Sequence, residues 1–400
     1  MAMNYNLIEK MTLSGRQISI AEKDDPRLGP LRWLPGTWKN TEELKGQGFN
    51  MIALPFANSP DFGQSENGYR LLINQYNESL NFILVDAGVP NRGVAPPDQA
   101  AATQSDQTVV ALSYTQIITQ IASEDSFVVS ARGQQNSTLS KTNISDKFND
   151  QPIHHEPGLW LYMANQNISD PSGAEINIAR MGSIPHGNSF IAVGSFQDLD
   201  PAQRIPIPSI NGVVEGGGPN PNERPLDPIL RPGTNIIGID YFGPFRHFNQ
   251  NPFKGSTAIP GYAGFEPVHA TTLLRHTLDN LLSSIGTIKH VTQLSVDSTL
   301  DISGINRISN PSIGNTPFIA RQADTTAFNA TFLIYEIEDK NAGELRYFLQ
   351  YAQTVMLDFI NRPDGHPGRA RWPHVSINTM ERVRDASPQA IVDSLPSKQE

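Results

Sequence analysis

The chain has 400 residues, no cysteine, and 30 basic against 40 acidic residues, a net charge of −10. The lack of cysteine excludes disulfides, thiolate metal sites and thiol nucleophiles, so any metal must be held by His, carboxylate or Tyr. The acidic balance, with no basic block to offset it, argues against nucleic acid or an anionic membrane as a partner and leaves a small-molecule ligand or substrate as the expected one. Thirty-one Gly and thirty-one Pro with little charge point to strands and loops. The first 25 residues hold no apolar signal-peptide core, and no run is long enough to cross a bilayer, so a soluble cytoplasmic protein is expected.

In chain order, Leu31-Arg32-Trp33-Leu34-Pro35-Gly36-Thr37-Trp38 comes first, with Gly36 for a sharp entry and Trp38 placed to plug the end of a barrel. Gly48 to Phe56 is a short apolar strand. Tyr69 to Tyr76 reads as a strand, Asn77-Glu78-Ser79 as a turn and Leu80 to Val85 as the return, which together predict a hairpin. Val89 to Asp106 is a Pro/Gly/Ala-rich loop. Val109 to Ile121 spaces Ser, Thr and Gln through β-branched residues, as a strand does, and Phe127-Val128-Val129 adds a short one.

Ile153 to Met163 has a polar head, His154-His155-Glu156, and an apolar tail. Glu175 to Arg180 runs into a turn at Ser183-Ile184-Pro185-His186-Gly187-Asn188 and returns through Ser189 to Gly194, which places His186 at a strand end. From Phe196 to Pro267 the pattern dissolves into Pro, Gly and Asn around an aromatic knot, Tyr241 to Phe248, and reads as a lid or insertion. His269 to Ser284 carries Leu273, Leu274, Leu278, Leu281 and Leu282 on one helical stripe, with Gly286 to stop it. Strands follow at Thr287–Asp297, Phe318–Ala323, Ala327–Glu338 and Leu345–Phe359, and the chain then reaches Trp372-Pro373-His374-Val375-Ser376.

About ten strands, several joined as hairpins, with no repeat and no linker, predict an all-β fold: one closed antiparallel barrel with long loop insertions and one or two helices. The barrel forms a single domain over residues 1–400, with 196–267 inserted in it.

Other chemistries find little support. Gly216-Gly217-Gly218 lacks the strand, Lys and helix of a phosphate loop, and neither a Gly-x-Ser-x-Gly elbow nor a His-Glu-x-x-His helix occurs. His154 and His155 are adjacent on a strand, so only one of them can join any one cluster. Period two likewise puts Ser376 and Asn378 on the face of His374, a more polar surface than a haem pocket prefers.

Three separated pieces carry a resemblance. Gly36-Thr37-Trp38 resembles the Gly-x-Trp opening of calycin barrels. His154-His155-Glu156-Pro157-Gly158-Leu159 resembles the His-x-Glu-x-Gly strand start of the nitrobindin family of haem-binding ten-stranded barrels. The run from His374 resembles that family's terminal segment. The order of the pieces also matches. The chain is about twice the length of such a domain, and the 196–267 insertion has no counterpart there. The resemblance implies a haem b cofactor with His374 as the cofactor-binding residue and metal ligand, and so chemistry of peroxide or peroxynitrite at the iron by a haem-dependent peroxidase or isomerase. His186, whose Pro-His-Gly turn is expected at a barrel mouth, is the candidate for the catalytic distal group. The alternative is a haem-free calycin-type carrier of an apolar small molecule.

Overall fold

The computed structural model describes residues 18–56, 68–90, 108–130, 145–163, 168–169, 175–184, 187–215, 242–300, 312–317, 323–361 and 367–387. Its principal strands are β1 Gly36–Lys39, β2 Gly48–Phe56, β3 Gly68–Pro90, β4 Thr108–Asp125, β5 Pro152–Met163 and β6 Ile178–Ile184. They continue with β7 Asn188–Asp198, β8 Gly286–Asp297, β9 Asp324–Asp339, β10 Leu345–Asn361 and β11 Arg369–Arg384.

From β3 to β11 each strand pairs antiparallel with the next. The short strands β1 and β2 share one position in the wall: each pairs with β11 on one side and β3 on the other. The result is a closed ten-strand antiparallel barrel in which neighbours in sequence are neighbours in space. This is the fold class expected from the sequence.

One expected element is corrected. Tyr69 to Val85 is not a hairpin but part of the single long strand β3, which passes through Asn77, Glu78 and Ser79 without turning. A polar triplet in an apolar run normally marks a turn because its side chains want water. Here Glu78 is satisfied inside the barrel, so the strand continues.

Alternation then sorts the side chains. On β4, Leu112, Tyr114, Gln116, Ile118 and Gln120 are buried while the residues between them are only partly covered. One end of the barrel is stoppered by the 3₁₀ segment Pro26–Trp33, whose Leu28 and Leu31 are fully buried. Trp38 is also fully buried and donates its indole N–H to the Leu34 carbonyl at 2.8 Å, the plugging role its sequence predicted.

The outer wall is dressed on one side. Helix α1, Gly243–Gln250, sets Phe245 against Tyr69, and Phe49 of β2 meets Phe253, Tyr262 and Phe265. Of the 196–267 segment, Phe196–Asp198 complete β7, Ile205 packs beside helix residues Leu278 and Leu281, and the stretch carrying Phe245, Phe253, Tyr262 and Phe265 lies against the outside of β2 and β3. Helix α2, Thr272–Ser284, presents Leu278 and Leu281 to Val291, Leu333, Tyr335 and Phe348 on β8 to β10. It ends where the Ile285 N–H reaches the Leu281 carbonyl, just before Gly286 starts β8. On the other side, Leu159 of β5 and Ile191 of β7 flank Met181 of β6 in register and stay exposed.

Candidate functional site

His374 stands on β11 opposite Val355 of β10, and the same face carries Ser376 opposite Gln353 and Asn378 opposite Tyr351. Asn378 and Tyr351 both bond Glu78 of β3, so this face is the inner one. The His374 ring is half-buried, with Nε2 2.6 Å from Asn50 Nδ2 of β2, and Asn50 also donates to Ser376 Oγ at 3.2 Å. The polar neighbours anticipated from period two are thus present. His186 lies outside the described residues. The flanks of its turn, Ile184 and Asn188, are cross-strand partners, and Asn188 bonds the Thr325 hydroxyl at the start of β9. Thr325 pairs with Leu357, and Leu357 with Trp372, so Ile184 and Asn188 lie at the end of the barrel where His374 stands, away from the stopper.

The His-x-Glu-x-Gly strand start has a packing explanation. His154 and Glu156 share the inner face while His155 is exposed, as alternation requires. Glu156 is fully buried and receives Arg180 Nη2 at 2.9 Å, the Tyr114 hydroxyl, and His154 Nε2 at 3.4 Å. Arg180, equally buried, also donates Nε to Tyr114 Oη at 3.1 Å and Nη1 to Gln353 Oε1 at 2.8 Å. Its guanidinium lies 5.0 to 5.9 Å from the ring centroids of Tyr114, Trp160, Phe190, Phe328 and Phe332. Burial pushes the Glu156 carboxyl up, but the Arg180 charge and then the His154 and Tyr114 contacts outweigh it and hold the group down at about 2. Inner-face glycines make room for this: a Cβ on Gly182 would stand 2.6 Å from Glu156 Oε1 and 2.5 Å from the Phe190 ring.

A second carboxylate lies deeper along β11. Glu78, also buried, accepts Gln116 Nε2 at 2.7 Å on Oε1, and Tyr351 Oη at 2.6 Å and Asn378 Nδ2 at 3.0 Å on Oε2. Tyr76 Oη is 2.8 Å from Tyr351 Oη and donates to the Ile377 carbonyl at 3.0 Å. Burial raises the Glu78 pKa, and the three donors and the charge of His154 only partly offset it. Burial likewise pushes the Tyr76 and Tyr351 phenols well up. One signal for Glu78 existed in the sequence: Tyr76, Glu78, Leu80 and Phe82 keep period two straight through the apparent turn. Tyr351 and Tyr76 carried no signal beyond their place in strand-like runs.

Arg346, on the outer side, bonds Glu381 at 2.7 Å and Glu43 at 2.9 Å, so neither it nor Arg180 is spare for an anionic ligand. Among the described residues no group of three or more His, Asp or Glu side chains is arranged to hold a bare metal ion. A cofactor that brings most of its own ligands needs only one histidine, and His374, on the inner wall with one ring nitrogen at Asn50, fits that requirement. The hydrogen-bonded side chains of Glu78, Arg180 and Glu156 fill the barrel beyond it.

The closed ten-strand barrel is compatible with a calycin-like fold. Comparison with protein-family models, with curated proteins and with solved structures gives no match to this chain. Among the described residues no helix is long and apolar enough to cross a membrane.

Proposed function

We propose that this chain is a nitrobindin-like barrel that binds haem b through His374 and acts on a small oxygen or nitrogen species such as peroxide or peroxynitrite. The observation that supports the reading is the inward, half-buried His374 ring held at Nε2 by Asn50. If iron takes the other ring nitrogen, Asn50 fixes the ring orientation from behind; if it takes Nε2, Asn50 must give way. When bound, haem supplies an iron with one face open to a small ligand. The chain would hold the group through the His374 imidazole, with Val355 beside it and the polar side chains of Ser376 and Gln353 next along the wall. His186 keeps the distal role on its sequence position alone.

Adding haem to the purified protein should produce a sharp Soret band at one equivalent, and His374→Ala should abolish or shift it. Haem binding unchanged in that variant would overturn the axial assignment. The rival reading, a haem-free carrier of an apolar molecule, predicts no such band and saturable uptake of apolar dyes that His374→Ala leaves intact. The polar inner wall of Asn50, Ser376, Gln353 and His154 counts against an apolar cargo, and it is also more polar than a haem pocket prefers.

A further inference from the structure

The barrel interior contains two buried tyrosine–glutamate pairs, Tyr114 with Glu156 and Tyr351 with Glu78. In chemical terms they are opposites. Glu156 is neutralised by Arg180 at 2.9 Å, which makes it a poor acceptor for a proton. Glu78 meets no cation at hydrogen-bonding distance among its described partners: Gln116, Asn378 and Tyr351 are neutral donors. The Tyr351 to Glu78 distance of 2.6 Å falls in the range of charge-assisted O–H···O⁻ bonds, shorter than the usual neutral pair.

We propose that Tyr351 and Glu78 form a proton-coupled one-electron redox site, in which Tyr351 gives up an electron and Glu78 takes its proton. An outer-sphere one-electron oxidant removes one electron from the Tyr351 ring as the phenolic proton crosses to Glu78 Oε2. The products are a neutral phenoxyl radical, a protonated Glu78 and the reduced oxidant. A one-electron donor reverses the step, and the proton returns to Tyr351 Oη.

Four features of the site serve this chemistry. The acceptor is in place before oxidation, so no charged tyrosine cation is left in the apolar interior. Tyr76 Oη, 2.8 Å away, can donate to the phenoxyl oxygen by turning its O–H from the Ile377 carbonyl. Tyr351 and Tyr76 are 1% and 0% exposed, which keeps solvent reductants and radical coupling away from the ring. Tyr351 stacks on Phe332 at 5.3 Å, and Phe332 meets Trp160 edge-on at 5.2 Å, so the ring sits in an aromatic column.

The site does not depend on the haem reading. It would gain a partner from it, since Tyr351 lies opposite Asn378, four residues along β11 from His374 and so about 13 Å of strand away.

The test uses protein without haem, photo-oxidised by a ruthenium tris-bipyridine sensitiser with persulfate and frozen for electron paramagnetic resonance. Wild-type protein should give a long-lived tyrosyl signal. Tyr351→Phe should lose it, Glu78→Gln should lose it through want of a proton acceptor, and Tyr114→Phe should retain it. The groups facing Glu78 from the surrounding strands are Tyr76, Gln116, His154, Tyr351 and Asn378. Radical yield should accordingly rise with pH as Glu78 ionises, and this rise should vanish in Glu78→Gln. Thermal melts establish that each variant is folded; if Tyr351→Phe does not fold, the pH dependence in wild type and Glu78→Gln decides the matter. An unchanged signal in Tyr351→Phe, or a Glu78→Gln signal as long-lived as wild type, overturns the proposal. Failure of the Soret experiment with success here would leave a redox barrel without haem, so the two readings fail separately.

Discussion

Glu156 and Glu78 are both carboxylates on the inner wall of one barrel, both fully buried and both bonded to a tyrosine hydroxyl, yet their surroundings drive them in opposite directions. Around Glu156 a guanidinium supplies the counter-charge, five aromatic rings surround that guanidinium, and the carboxyl is held at about 2. Around Glu78 only neutral donors converge, and burial raises the pKa. A buried charge is therefore tolerated in two ways here: by fixing it against a partner charge, or by leaving it able to lose that charge. The first builds rigid structure, and the second keeps a proton within reach of chemistry.

The comparison is broken most severely by Glu156→Gln. It strands the Arg180 charge inside the barrel and should cost about 3–5 kcal/mol in chemical denaturation. Replacing both partners, Glu156→Leu with Arg180→Met, should recover most of that loss; a double variant no better than the single would show that the pair matters for shape and not for charge. Gly182→Ala comes next. Its new methyl meets both Glu156 Oε1 and the Phe190 ring, and about 1–3 kcal/mol should be lost, with Phe190→Leu in the same chain relieving part of it.

Glu78→Gln should cost less, about 1–2 kcal/mol, because the amide keeps one oxygen acceptor and no opposite charge is orphaned. Stability against pH then separates the two sites by sign. The Glu156 value lies below the ordinary 4.5, so its contribution is present above about 4.5 and is lost as pH falls toward about 2. The Glu78 value lies above 4.5, so its contribution is full below that pH and fades as pH rises through its own titration. The gap between wild type and Glu156→Gln should therefore narrow in acid, and the gap for Glu78→Gln should narrow in base. Tyr76→Phe should have the smallest effect, about 1 kcal/mol, since it removes one hydroxyl whose loss leaves Tyr351 bonded to Glu78.

How far the sequence could be read follows the same division. The strands, the Leu stripe of α2 and the plugging Trp38 were legible because each is a local pattern, a period of two or 3.6 or a lone large aromatic near a sharp entry. His374, Ser376 and Asn378 sharing one face was legible for the same reason. The interior network was not, because its members are far apart in sequence: Arg180 meets Gln353, and Glu78 meets Tyr351. Glu78, between Asn and Ser, reads as a solvated turn residue, because two of its three donors, Tyr351 and Asn378, come more than two hundred residues later. Nothing near Arg180 in the chain announces Glu156 or the surrounding rings.

The shared position of β1 and β2 bears on when this barrel is able to form. The seam is closed by β11, near the far end of the chain, against two strands made at its beginning. Until β11 is in place, β1 and β2 present an unpaired edge with Phe49 and Met51 along it, a template for pairing with other chains. Closure between strands more than three hundred residues apart makes folding slow, so the chain should need chaperone shelter until β11 pairs.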